Sequence, residues 1–402
     1  MNKENIIKNN EKYFMNVFVG RYPVVVDHGE GIKIYGKDGK VYYDFLAGIG
    51  VNVLGYNYPE LIDVLKDQVG KMLHSSNLYY IEPQAQLEEL LIENSVFDRV
   101  FFTNSGAESN EGAIKLARKY YKEAKENKYE IITVKKSFHG RTLATLAATG
   151  QRKYQKTFEP LPSGFKVVAF NNLDAVVNAI NSKTAAIMIE PIQGEGGVNP
   201  VRKEYLEGLK KICKKNNILL IFDEIQCGIG RTGSLFAYEK YGVEPDIITL
   251  AKALGGGIPI GAFMAKEEIA SAFKPGDHGS TFGGNHLSTR AAYTTLKLLL
   301  EKDIIENVNI VGDYFKSQLN KLWNKFSFIK DVRGSGLMLA LEFSSYIDAP
   351  KLVYDLFERG FLLNAVNEHT LRFLPPLIIK KEEIDLLITE LNDLLANKKK
   401  QK

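Results

Sequence analysis

The stretch ILLIFDEIQCGIGRTG, residues 218–233, constrains this chain most. An apolar run, Ile218 to Phe222, stops abruptly at two carboxylates, Asp223 and Glu224. A second run follows in DIITLAKALGGGIPIGA, residues 246–262, where Ile247 to Leu250 lead to Ala251, Lys252 and three glycines. Unbroken apolar runs bounded by charge and glycine predict strands buried on both faces of a parallel sheet. Ligands of open α/β sheets bind beyond the carboxyl ends of the strands. Asp223 and Lys252 therefore fall where a ligand sits. Their separation, 252 − 223 = 29 residues, spans one strand-to-strand crossover.

The rest of the chain extends that sheet. Candidate strands are Arg99–Thr103, Glu130–Val134, Lys166–Phe170, Ala185–Glu190, Ile218–Asp223, Asp246–Leu250 and Gly261–Ala265, with helical stretches such as Asn110–Lys125 and Arg202–Asn216 between most of them. This alternation predicts an α/β fold, a mostly parallel sheet covered by helices on both faces. Gly31 to Leu46 alternates apolar and polar residues around the turn Lys37-Asp38-Gly39-Lys40, which predicts a hairpin. After His286 a helical pattern runs to about Phe326, then come a helix near 350–359, strand-like FLLNA and TLRFLPP, and an amphipathic helix over Lys381–Asn397. The division this suggests is an N-terminal arm over 1–60, a large domain over 61–295 and a C-terminal part over 296–402, the two ends forming a smaller α+β domain.

Composition sets bounds rather than function. Hydrophobic residues make up 45% and charged residues 25%, an ordinary globular balance. The formal charge is 52 − 48 = +4, and part of the excess sits in the tail Lys398, Lys399, Lys400 and Lys402, which reads as a solvated end rather than a nucleic-acid surface. Cys213 and Cys227 form no CxxC pair, so neither a metal site nor a disulfide framework is expected. No run of 18 apolar residues exists, and MNKENIIKNNEKYF has no signal-like apolar core. A cytoplasmic location with no membrane span is the expectation.

Four further stretches carry chemistry. Asn104 to Asn110 (NSGAESN) follows a strand and opens a helix. Its small residues let backbone N–H groups face an anion such as a phosphate, although Ser and Asn are also good helix caps. Ser137 to Arg141 (SFHGR) offers Phe138 to stack on a planar ring and Arg141 to take a carboxylate; His139 by itself reads as structural. Glu190 to Gly197 (EPIQGEGG) carries Glu195, which can neutralise an arginine, and the candidate partner is Arg372 in LRFLPPL. His278 to Asn285 (HGSTFGGN) brings Ser280 and Thr281, whose hydroxyls can reach a phosphate in their own subunit or a neighbour's. A carboxylate and an amine at adjacent strand ends suit pyridoxal phosphate, because lysine condenses with its aldehyde and an acid keeps its ring nitrogen protonated.

Taken together, the ordered motifs NSGAESNEGAIKLAR, SFHGRTL, EPIQGEGGV, IFDEIQCGIGRTG, AKALGGGIPIGA, GSTFGGN, VRGSGLM and LRFLPPL resemble the class III, ω-type aminotransferases of the pyridoxal-phosphate-dependent fold type I. LAGIGVNVLGYNYPEL and HSSNLYYIEPQAQLEELL are similar to the acetylornithine aminotransferase subgroup. The resemblance implies a seven-stranded large domain and a homodimer with shared active sites. It implies that Lys252 carries the cofactor and moves the proton, that Asp223 pairs with the ring nitrogen and that Gln226 lies near the phenolic oxygen. Ser105, Gly106 and Ala107 would hold the phosphate, Thr281 reaching it from the other subunit, with Phe138 on the ring. Arg141 and Ser280 would meet the substrate, and Arg372 would clamp the α-carboxylate of glutamate with Glu195 as its switch. The implied reaction moves the δ-amino group of N2-acetylornithine to 2-oxoglutarate. Ornithine, succinylated diamines and 4-aminobutyrate are alternative donors, and a mutase or decarboxylase on the same fold would dispense with the keto acid. One position departs from the pattern: relatives often carry Tyr two residues before the Arg of the N-terminal GR-x-P segment, where this chain has Val19.

Overall fold

The computed structural model describes residues 1–18 and 20–400, so Val19 and the tail residue Lys402 lie outside the described residues. Seven strands form the central sheet, labelled here in chain order: β1 Arg99–Thr103, β2 Glu130–Val134, β3 Phe165–Val168, β4 Thr184–Ile189, β5 Leu219–Asp223, β6 Ile247–Leu250 and β7 Gly261–Ala265. Their spatial order is β1-β7-β6-β5-β4-β2-β3. All pairings are parallel except those of β7, which runs antiparallel to both β6 and β1. The sheet is mostly parallel, as the apolar runs require.

Alternate residues of each strand feed two cores, one per face. Leu220 and Phe222 of β5 join Ile187, Ile189, Ile248 and Leu250 on one side, with Tyr205, Leu206 and Leu209 from the helix Lys203–Asn216. Leu219 and Ile221 face the other way, against Ala113, Ile114, Leu116, Ala117 and Tyr121 of the helix Gly106–Glu123. Burial on both faces is why these strands read as continuous apolar runs without alternation.

The helix Gly106–Glu123 starts four residues before the expected Asn110. Ser105 is its N-cap, its side chain accepting from the Glu108 amide at 3.2 Å, while the Glu108 carboxylate accepts from the Asn104 amide at 2.6 Å. These two bonds start the helix within the small-residue stretch, where no apolar period announces it. A second correction concerns the pattern after His286. It is two helices, His286–Glu301 and Ile304–Lys325, parted at Asp303, which has left-handed backbone with φ +50°.

The chain ends meet. The hairpin Lys33–Gly36 with Val41–Asp44 turns at Gly39, and its second strand pairs in parallel with Phe361–Leu362. A four-stranded antiparallel sheet is built from Ile329–Ser335, Met338–Phe343, Thr370–Phe373 and Asn364–Asn367. In it Arg372 sits between Ala340 and Asn364. Ile384, Leu387, Leu391 and Leu395 of the C-terminal helix Lys381–Lys400 are buried at four- and three-residue spacing against the main core.

The register around β5 and β6 positions the site. Asp223 pairs with Thr249, so the strand that ends in the carboxylate and the one that runs on to Lys252 finish side by side. Just beyond, Gly261 opens β7 where a Cβ would meet the Ser109 hydroxyl at 2.4 Å and the Thr103 hydroxyl at 2.5 Å, so only glycine lets β7 start there.

Glu224 ties the loop after β5 in place: its buried carboxylate accepts from the Ala237 amide at 2.5 Å and the Tyr238 amide at 2.7 Å, at the start of the helix Ala237–Tyr241. Glu224→Gln keeps one acceptor and turns an amide donor on the other N–H. Urea unfolding of the cofactor-free protein should show a loss of about 1–3 kcal/mol, the cost of one buried unsatisfied group; an unchanged midpoint would contradict this role.

Candidate active site

A cavity of about 440 Å³ opens at the carboxyl ends of β4, β5 and β6. Ser105, Gly106, Ala107, Phe138, Arg141, Glu195, Asp223, Gln226 and Lys252, named from the sequence, all line it. Arg372, Ser280 and Thr281 do not, and each is accounted for below.

Asp223 is buried and held from three directions. Its Oδ2 accepts from His139 Nδ1 at 2.7 Å and Asn110 Nδ2 at 2.8 Å, and its Oδ1 accepts from the Ile225 amide at 3.1 Å. Burial disfavours a charged His139, but the hydrogen bond and charge of Asp223 outweigh it and raise the imidazole pKa. His139 and Asn110, which by sequence alone look structural and like a helix start, are thus the partners of the central carboxylate. Glu190, also in the cavity wall, accepts from the Phe138 and Gly194 amides at 3.0 and 3.1 Å. Its pKa is pushed up to about 7 by burial, against His139 and with the help of the Asp223 charge.

Lys252 begins a short 3₁₀ turn after β6 with φ +46°, left-handed backbone that costs a non-glycine residue on the order of 1–3 kcal/mol and clusters at functional sites. Burial lowers its pKa, and the Arg372 charge acts the same way, against the pull of Glu195 and Asp223. A neutral amine is what a nucleophile and proton acceptor needs.

Glu195 and Arg372 pair across the two halves of the fold. Arg372 Nη1 donates to Glu195 Oε1 at 2.5 Å, Arg372 Nε donates to Asn364 at 3.2 Å, and Arg372 is fully buried. Gln226 bridges the pair, its Nε2 donating to Glu195 at 3.1 Å and its Oε1 accepting from Arg372 at 3.1 Å. Arg372 Nη2 has no partner among the described residues. Burial pushes Glu195 up, but the charges of Arg372 and Lys252 win and hold it at about 2.

The N-terminus of the helix Gly106–Glu123 enters the same cavity wall. Gly106 lies against Ile225, where a Cβ would come within 2.7 Å of its side chain, so the helix start and the loop after β5 pack without a gap. Phe138 and Arg141 follow β2, and the Arg141 guanidinium lies 5.6 Å from the Phe138 ring and 4.1 Å from the Tyr154 ring. Ser280 and Thr281 line a separate depression with Asn104, Glu108 and His278. There Ser280 Oγ accepts from Asn104 Nδ2 at 3.2 Å and the Gly283 amide at 3.0 Å, while Thr281 is exposed.

This donor set fits pyridoxal phosphate: an amine and a firmly held carboxylate share one cavity, and a capped helix N-terminus enters its wall. The sheet order and this site together define a pyridoxal-phosphate-dependent transferase of fold type I. The class-III aminotransferase family model matches residues 14–395. The acetylornithine aminotransferase of Methanocaldococcus jannaschii is 51% identical over 401 residues, covering 100% of both chains. Among solved structures, an ornithine aminotransferase from Toxoplasma gondii with partial occupancy of pyridoxal phosphate at its active site superposes with a TM-score of 0.95 at 32% identity, over 100% of this chain and 95% of that one. The acetylornithine aminotransferase of Elizabethkingia anophelis gives 0.87 at 33% identity, over 99% and 100%. The chain belongs to the class-III aminotransferases. It is an aminotransferase that depends on pyridoxal phosphate.

The depressed Glu195 pKa makes a stability prediction. A carboxyl held at about 2 when folded, below its ordinary 4.5, adds stability that is full above 4.5 and lost as pH falls through 2. Glu195→Gln should therefore flatten the acid limb of the cofactor-free protein's melting temperature between those limits. An acid limb as steep as the wild type's would contradict the pairing.

Proposed function

We propose that this chain moves the δ-amino group of N2-acetyl-L-ornithine to 2-oxoglutarate, giving N-acetyl-L-glutamate 5-semialdehyde and L-glutamate in arginine biosynthesis. The observation that carries the reading is the buried Arg372 masked by Glu195 in a site that also exposes Arg141. One site must accept a donor that presents an amine end and a second substrate with two carboxylates. With Glu195 on Arg372, the first meets a neutralised clamp. Glutamate's α-carboxylate displaces Glu195 and takes the unpartnered Arg372 Nη2, while Arg141 takes the other carboxylate in a bidentate grip.

The cofactor, when bound, supplies an electron-poor ring that accepts the electrons of the broken C–H bond. The chain does the rest. Lys252 carries the cofactor and moves the proton with its depressed-pKa amine. Asp223 would hold the proton on the ring nitrogen, and Phe138 would stack on the ring. The amides of Ser105, Gly106 and Ala107 bind the phosphate at a helix N-terminus. Gln226, hydrogen-bonded to Glu195, would lie at the phenolic edge. Thr281 reaches the phosphate of the second subunit of a homodimer, and Ser280 lies beside the substrate. The dimer reading is supported by Leu78, Tyr79 and Tyr80, exposed at 86%, 67% and 107%, on a segment fixed to the Ser280 loop by Asn77 Nδ2, which donates to the Ser280 and Gly283 carbonyls. An apolar patch of this kind marks an association surface. Residues 61–295 form the large domain, and 1–60 with 296–402 supply the smaller one. A cytoplasmic location is part of the proposal, and no described helix is long and apolar enough to cross a membrane.

The second reading is unacylated ornithine, favoured by the structural likeness to the Toxoplasma gondii enzyme. With 2-oxoglutarate as acceptor, N2-acetylornithine should give the highest kcat/KM in a panel with ornithine, succinyl-diaminopimelate and 4-aminobutyrate. A higher value for another donor would overturn the substrate, and turnover without 2-oxoglutarate would overturn the reaction. In the same assay Glu195→Gln should spare the glutamate half-reaction and weaken that of the diamine; equal losses would remove the switch.

A further inference from the structure

A carboxylate offers about four lone-pair sites. On Asp223, both sites of Oδ2 are filled, by Asn110 Nδ2 and His139 Nδ1, and one site of Oδ1 is filled by the Ile225 amide. One lone pair remains, on Oδ1, and Asp223 is in the cavity wall. Asn110 is as fully committed. Its Nδ2 also donates to the His139 carbonyl at 2.7 Å, and its Oδ1 accepts from the Thr249 hydroxyl at 2.7 Å. Both neighbours of the amide nitrogen are acceptors only, which fixes the nitrogen toward them and the oxygen toward Thr249. Asn110 and Thr249 are completely buried. They come from the helix Gly106–Glu123 and from β6, and the β5–β6 register sets Thr249 directly beside Asp223.

We infer that Asn110, locked by Thr249, is a positioning residue that keeps Asp223 turned so that Oδ1 is free for the ring nitrogen. The inference rests on Asp223 being the partner of that nitrogen. His139 cannot do this alone. With the Ile225 amide it leaves a single bond on each oxygen, and the Asn110 bond, from a third segment, adds the further restraint on rotation about the Cβ–Cγ axis. A charge-assisted hydrogen bond in a dry site is the kind whose loss is felt.

The test is equilibrium binding of pyridoxal phosphate to cofactor-free protein, with thermal unfolding of the same samples. Asn110→Ala should raise Kd about 10- to 100-fold, the range expected for one hydrogen bond to a charged group. Thr249→Val should raise it about tenfold, and Thr249→Ser should restore it to within about threefold, since only the hydroxyl is needed. If Asn110→Ala does not fold, the Thr249 pair decides. Melting temperatures that fall while Kd stays at the wild-type value in these variants would make the network merely structural and overturn the inference. Asp223→Ala separates the two levels: an unchanged Kd there would overturn the premise, while a large loss there with none in the Asn110 and Thr249 variants would overturn the inference alone.

Discussion

A carboxylate buried at the end of β5 sets the arrangement of everything around it. Asp223 is almost wholly withdrawn from water, so the protein supplies most of what water would have given: an imidazole, an amide side chain and a backbone N–H, drawn from three segments. Meeting that demand fixes where the helix Gly106–Glu123 and the loop after β2 must lie. Once these are placed, the helix N-terminus, Phe138 and Lys252 converge on one cavity without any further device. The catalytic geometry is thus a by-product of satisfying a buried charge at a parallel strand end.

The second buried charge, Arg372, is handled differently. It pairs with Glu195, a side chain that keeps 25% of its surface exposed, and one of its donors is left over. Asp223 is fixed by three partners on neighbouring segments, two of them side chains that are themselves buried. Arg372 is satisfied by a partner that can leave, because a carboxylate on a loop can return to solvent cheaply. That contrast separates a permanent element of the site from an exchangeable one, and it follows from where each residue sits: Asp223 in the large sheet, Arg372 on a strand of the C-terminal sheet that reaches across to the loop after β4.

Much of this was legible in the sequence, for reasons that can be named. Strands buried on both faces cannot hide, so the seven runs were placed to within a residue or two. Carboxylate, amine, aromatic and arginine at strand ends were readable because that edge of a parallel sheet is where ligands bind. What escaped were partnerships between residues distant in the chain. His139 lies 84 residues from Asp223, Asn110 lies 113 from it, and Thr249 lies 139 from Asn110, and no local pattern encodes such bonds. The early start of the helix at Gly106 was missed because caps carry no hydrophobic period. Ser280 and Thr281 lie outside this chain's own cavity, in a depression with Asn104, Glu108 and His278, and their hydroxyls alone do not tell in sequence which cavity they line.

If the proposed site is right, Lys252 is the amine that captures the cofactor opposite the fixed Asp223 carboxylate. Borohydride reduction of the loaded protein, followed by digestion and mass spectrometry, reads this directly. A single pyridoxyl mass on the peptide containing Lys252 is the predicted result; the label on any other lysine, or none on Lys252, would contradict it.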